Sequence, residues 1–237
     1  MPLSRYRRLQ ARLGTARNVI IQPSSYGVDN TLLVVAIAQF AGRARGVAVV
    51  NTSVTDIELK DLHEAGVRGI RFNLNPPGTT TLDMLMPLAP MGWHVQASAP
   101  AADLLEAGAT WSNLPCPVVF DHLATVPEQE GAHHPCFQMV SELLVAKKAY
   151  VKLTGFYVTS RIGAPSYGDS VEVARAFARI APDRVVWGSD WPYPSEQPKN
   201  VIPDDALLLD LMSTIVPDEA MRNRIFVDTP ARLYGFA

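Results

Sequence analysis

Short runs of β-branched and apolar residues recur along the chain, each followed by a longer stretch whose apolar positions keep helical spacing. The pattern predicts strands at Asn18–Gln22, Arg45–Val50, Arg68–Asn73, His94–Ser98, Pro117–His122, Tyr150–Thr154 and Arg184–Ser189. Between them it predicts helices near 29–41, 55–65, 80–90, 101–112, 134–148, 169–181 and 204–215. Leu3–Leu13 opens the chain as a further helix, and a last one follows Asp228, where Asp-Thr-Pro offers an N-cap and a first-turn proline. Gly66, Gly92, Pro115 and Pro182–Asp183 punctuate the joins ahead of strands. Segments such as VVWG and NVII are apolar without clean alternation, as parallel strands buried on both faces are.

Alternating strand and helix implies an α/β fold, either an open doubly wound sheet or a closed (β/α)8 TIM barrel. No glycine-rich phosphate loop opens a helix, so the barrel is favoured. No composition break divides the chain, and residues 1–237 are read as one domain. The pattern yields seven strands where the closed barrel has eight, and the opening helix leads straight into the strand at Asn18. The expectation is therefore an incomplete barrel whose first strand is absent, through a late start or a true deletion.

Composition narrows the class. With 48% hydrophobic and 19% charged residues the chain is an ordinary globular protein, and a net charge of −2 gives no electrostatic reason to expect nucleic acid or an anionic membrane as partner. Arg5, Arg7, Arg8 and Arg12 read as a solvated face of the first helix. Two cysteines, Cys116 and Cys136, cannot form a disulfide framework and sit in no metal-type pair, which fits a reducing, cytoplasmic compartment. The longest apolar run, Leu32–Ala41, is too short to span a membrane and is expected as a buried helix. A homo-oligomer is allowed, but no interface is legible.

In a barrel the chemistry gathers at the C-terminal ends of the strands. Those ends offer Gln22, Ser24 and Tyr26, then Arg71 and Asn73, Gln96 and Ser98, Asp121 and His122, Lys152, Thr154 and Tyr157, and finally Ser189, Asp190 and Trp191. Asp190, delivered by RVVWGSDWPYP, can deprotonate a water or ligate a metal; the bland alternative is a turn cap. His122 suits proton transfer or polarising a carbonyl oxygen, against a satisfied core histidine. Arg71 would hold a substrate carboxylate or tie strand ends together. Tyr26 and Tyr157 are hydrogen-bond donors or ordinary loop packing. Asp121 alternates with His122 and is expected to point away from the interior. Lys152, mid-strand, is a candidate buried lysine with an ionic partner. His94 begins its strand at the far end of the barrel and reads as structural, and His133 and His134 read as solvated.

The segments ARNVIIQPSSYGVDN, RARGVAVV, HEAGVRGIRFN, GWHVQAS, VVFDHLA, YVKLTGFY, RVVWGSDWPYP and DTPARLYGF, in this order, resemble the amidohydrolase-related family, in the branch that contains 2-pyrone-4,6-dicarboxylate lactonase. The resemblance implies a (β/α)8 barrel that hydrolyses a lactone or similar ester of a small carboxylic or sugar acid. It puts Asp190 at the catalytic aspartate and His122 at the family histidine, with Arg71, Ser98, Tyr157, Tyr26, Gln22 and Trp191 around the substrate. A sugar-acid lactone isomerase, which the same branch contains, is the alternative. From another class, the chain could be a non-catalytic remnant that binds a small molecule or a partner.

Two features depart from the family. Its His-x-His pair at the end of the first strand has no counterpart here, so the chain as written is expected to be inactive or poorly folded. The loop after Arg71 reads NLNPPG without a second arginine, and Ser98 stands at a tyrosine position, which implies a less anionic ligand such as a monocarboxylate or sugar-acid lactone. The family's two-metal members need further ligands that these strand ends do not supply. The expectation is therefore no cofactor, with a divalent metal such as zinc disfavoured.

Overall fold

The computed structural model describes residues 3–73, 88–194, 196–197 and 202–236. All seven expected strands form: β1 (Asn18–Ile21), β2 (Ala44–Ala48), β3 (Val67–Asn73), β4 (His94–Ser98), β5 (Val118–Phe120), β6 (Ala149–Leu153) and β7 (Val185–Trp187). Around them lie α1 (Leu3–Leu13), α2 (Thr31–Ala38), α3 (Asp56–Glu64), α4 (Ala101–Glu106), α5 (Gly108–Asn113), α6 (Pro135–Val145), α7 (Phe156–Thr159), α8 (Gly168–Ile180), α9 (Asp205–Ile215), α10 (Glu219–Asn223) and α11 (Thr229–Tyr234). The helix expected over 80–90 falls largely outside the described residues.

The strands pair in sequence order, each parallel to the next, in one seven-stranded sheet. Side chains two strands apart meet on one face: Lys152 of β6 reaches Gln96 of β4, and Arg71 of β3 comes within 3.8 Å of Asp121 at the end of β5. The sheet is thus curled into an incomplete barrel, and its interior is the concave face.

Two apolar layers hold it. The outer layer lies between strands and helices and includes Val67, Ile70, Val95, Val118, Phe120, Val151, Leu153 and Phe177. The inner layer is smaller: Val47, Val119, Tyr150 and Val186 from the strands, closed by Leu233 and Tyr234 of α11. Burying each large side chain contributes about 1.5–3 kcal/mol, so the plug of α11 stabilises the end of the curl opposite the site. There the His94 ring stands edge-on to Tyr234 at 5.2 Å. It also lies flat over Gly69, where a Cβ would come within 2.5 Å of the imidazole, so only glycine fits.

Local signals set the helix starts. Thr55 and Glu58 form a capping box on α3, with the Glu58 carboxylate accepting from Thr55 N at 2.7 Å. Asp204 accepts from Ala206 N at the start of α9. His134, expected to be solvated, caps α6 by accepting from Cys136 N at 3.1 Å, with Pro135 in the first turn. The segment around α2 differs from the buried helix expected: it buries Leu33 and Ile37 but leaves Leu32 57% and Val35 52% exposed. With strands on one side only, a short helix presents just one stripe to the core. Cys116 and Cys136 are both buried free thiols. Among the described residues no helix is long and apolar enough to cross a membrane.

Candidate active site

β5 stops at Phe120, yet its alternation carries on for one residue, so Val119 and Asp121 both face the interior. The expectation that Asp121 points away is overturned. Its Oδ2 accepts from Gln96 Nε2 at 2.7 Å, and its Oδ1 lies 3.2 Å from Lys152 Nζ. Lys152 Nζ closes the triangle by donating to Gln96 Oε1 at 2.7 Å. The buried lysine has its ionic partner. On the other side Arg71 Nη2 donates to Ser98 Oγ at 3.1 Å and lies 3.8 Å from Asp121 Oδ2. Burial by itself would raise the Asp121 carboxyl; the charges of Lys152, His122 and Arg71 outweigh it and hold the group well below the ordinary carboxylate range.

His122 is brought to the same mouth by an unusual backbone. From His122 to Thr125 four residues in succession have positive φ, between 47° and 55°. Each such non-glycine residue costs roughly 1–2 kcal/mol, so the turn persists only because its surroundings fix it. Ala124 N donates to Asp121 O at 2.8 Å and Thr125 Oγ1 to Ala99 O at 2.7 Å. Gly155, itself at φ +65°, leaves room for the ring: a Cβ there would lie 2.7 Å from His122 Cδ2.

Asp190, which follows β7, is also left-handed at φ 59° and meets the imidazole. Its Oδ1 lies 3.4 Å from His122 Nε2, and its Oδ2 accepts from Tyr157 Oη at 2.5 Å. Burial, followed by the charge of Asp190, raises the Tyr157 hydroxyl far above its ordinary value, so it stays protonated and donates. Burial pushes the His122 imidazole down, but the Asp121 charge and the Asp190 hydrogen bond and charge overcome it, and the net direction is up. A carboxylate, an imidazole and a phenol thus converge above a bed made by Arg71, Ser98 and the Asp121–Lys152 pair.

Other candidates are placed elsewhere. Gln22 is buried, with its amide spent on closing its own loop through Gly27 O at 3.3 Å and Asp29 O at 2.6 Å. Tyr26 stands 49% exposed on the 3₁₀ turn Ser24–Tyr26. The Trp191 ring leans on Tyr6 of α1 at 5.2 Å. Gln96 and Asp121 read from the sequence as strand-end polar residues without a role in the chemistry, and Gly155 is not singled out. The signal for the first two was an acid, an amide and a lysine at interior parity on three adjacent strands.

A divalent ion needs several hard or borderline donors converging on one point. Among the described residues no group of three His, Cys, Asp or Glu side chains is arranged to hold a metal ion, and Asp190 meets His122 and Tyr157. These residues do not fit a metal centre.

A family model described as amidohydrolase matches residues 2–236. The chain belongs to the amidohydrolase family. It is 36% identical over 247 residues to a 4-sulfomuconolactone hydrolase of Rhizobium radiobacter, covering 99% of this chain and 80% of that protein. It is 29% identical over 233 residues to a D-galactarolactone isomerase of Agrobacterium fabrum, covering 97% and 80%. A solved structure of a probable 2-pyrone-4,6-dicarboxylic acid hydrolase from Acinetobacter baumannii with citric acid bound superposes with a TM-score of 0.84. The two are 26% identical, with 98% of this chain and 88% of that one covered. The incomplete barrel is therefore an amidohydrolase barrel, and the resemblance read from GSDWPYP and FDH is borne out at family level.

Proposed function

We propose that this amidohydrolase opens the ring of a lactone of a small carboxylic or sugar acid, with Asp190 as the base that activates water. The observation that carries the reading is the Asp190 carboxylate at the mouth of the curl, aimed by Tyr157 at 2.5 Å and His122 at 3.4 Å. Arg71 and Ser98 hold the acid group of the substrate, and His122 polarises the carbonyl oxygen of the ring ester. Asp190 takes a proton from water as the oxygen attacks the carbonyl carbon. The ring C–O bond then breaks, and the departing oxygen receives the proton from Asp190. Water is consumed and the open-chain acid leaves with no change of oxidation state.

The relatives named as a 4-sulfomuconolactone hydrolase and a probable 2-pyrone-4,6-dicarboxylic acid hydrolase support the lactone class. With Arg71 the one arginine at the bed among the described residues, the ligand here is a monocarboxylate or sugar-acid lactone, and tight binding of a dicarboxylate would contradict that. No cofactor enters the reading, and the two buried free thiols suit a cytoplasmic enzyme. A second reading, isomerisation, is favoured by the galactarolactone isomerase relative: the acyl group would pass to a substrate hydroxyl instead of water. Product analysis separates the two, a free acid against a new lactone. The test of the base is Asp190→Asn across a lactone panel, with and without chelator. Turnover is expected to vanish while substrate binding remains, and unchanged turnover removes Asp190 from the chemistry.

A further inference from the structure

Asp190 sits in a turn that the chain would not adopt unaided. Both Asp190 and Tyr193 are left-handed, each at φ 59°, and neither is glycine. Each such residue costs roughly 1–2 kcal/mol, so contacts from outside the turn must hold it. Within it, Tyr193 N donates to Asp190 O at 2.9 Å and Trp191 N to Ser189 Oγ at 3.2 Å. The outside contacts converge on Tyr193. It is 1% exposed, and its ring stands nearly perpendicular to that of Tyr157 with the centroids 5.6 Å apart. Its hydroxyl donates to Asp205 Oδ1, on the first residue of α9. Helix α9 is a firm post, since Leu208, Leu211, Met212 and Ile215 are buried beneath it and Asp204 caps its start.

Packing alone does not explain the hydroxyl. Phenylalanine would bury the same ring, and the half-buried Asp205 could turn to water instead. What the hydroxyl adds is direction: it fixes the ring against Tyr157, whose own hydroxyl is committed to Asp190 Oδ2 at 2.5 Å. Tyr193 thus reaches Asp190 twice, through the backbone bond of the turn and through Tyr157. We propose that Tyr193 is a positioning residue, tethered by Asp205, that holds the left-handed turn and with it the direction in which Asp190 presents its carboxylate. That Asp190 is the base rests on the hydrolase reading; that its turn is tethered does not.

Tyr193→Phe and Asp205→Ala each cut the tether from one end, and Asp205→Asn keeps an acceptor oxygen. Amide hydrogen exchange of the full chain reads the turn without any substrate. With the tether cut, the Trp191 and Tyr193 amides should exchange about tenfold faster while those of β4 and β5 keep the wild-type rate. A general loss of packing would speed the strands and the turn together. On a lactone that the wild type opens, both cutting variants should lose about tenfold in kcat with KM unchanged, and the double variant should lose no more than either. Asp205→Asn should keep the wild-type exchange and kcat. Wild-type exchange at the turn in both cutting variants overturns the proposal. So does an additive loss in the double variant, or an unchanged kcat despite faster exchange. A wild type that opens no lactone defeats the hydrolase reading alone, and the exchange rates then decide the tether.

Discussion

Gly155→Ala tests whether the site depends on the exact seat of His122. Gly155 sits at φ +65°, where alanine costs about 1–2 kcal/mol. The added Cβ would lie 2.7 Å from His122 Cδ2 and 3.1 Å from a Val158 methyl. Carbon atoms prefer about 3.5–4.0 Å, so the ring must retreat by roughly 0.8 Å or more. Its Nε2 already stands 3.4 Å from Asp190 Oδ1, with no slack for a longer contact. A displacement on the order of 1 Å in a catalytic group can cost about 100-fold in rate. Gly163 supplies the control: its φ is +70° and a Cβ there meets nothing within 4 Å, so Gly163→Ala carries the backbone penalty without the clash. Urea melts should place Gly163→Ala about 1–2 kcal/mol below the wild type and Gly155→Ala at least as far below, since it adds the clash to the backbone penalty. Only Gly155→Ala should lose about 100-fold in kcat on a lactone that the wild type opens. Equal kcat in the two variants would refute the idea that the ring's position matters.

Tyr157→Phe removes the donor to Asp190 Oδ2, a hydrogen bond to a charged group worth about 1.5–3 kcal/mol. If it aims the base, kcat should drop by about ten- to a hundredfold with KM little changed, and a pure KM effect would place Tyr157 in substrate binding instead. His94 gives a pH dependence. Burial, followed by the charge of Lys152, pushes its imidazole down to about 3 in the fold, against 6.5 unfolded. Above 6.5 both states are neutral and the contribution to stability is full. As pH falls toward about 3 only the unfolded chain takes the proton, and stability is lost at up to about 1.4 kcal/mol per unit. His94→Leu should flatten the urea-derived slope between pH 6.5 and 5 relative to the wild type; an unchanged slope would mean that the ring is not buried neutral.

The sequence alone determined a good deal here. Runs such as VVWG and VVF fix seven parallel strands, since β-branched runs between helical stretches have few other ways to bury both faces. The same runs place Asp190, His122, Arg71 and Ser98 at one end of the sheet, because a parallel βα repeat puts every strand's C-terminus on the same side. Lys152 was legible as a buried cation in need of a partner. The partner was not. Strict alternation sets Asp121 and His122 on opposite faces, and in a continuing strand one of them would be lost to the interior. The strand ends at Phe120 instead, and four left-handed residues turn His122 back to where Asp121 already points. Little in His-Leu-Ala-Thr announces that turn, since only the histidine belongs to the types enriched at positive φ, and leucine, alanine and threonine avoid it. It is held by Ala99 O and by the space that Gly155 leaves, both distant in sequence. Gln22 reads like a strand-end ligand and closes its own loop, because its amide reaches the carbonyls of Gly27 and Asp29. Periodicity determines which residues arrive at the mouth, and only tertiary contacts decide which of them face one another there.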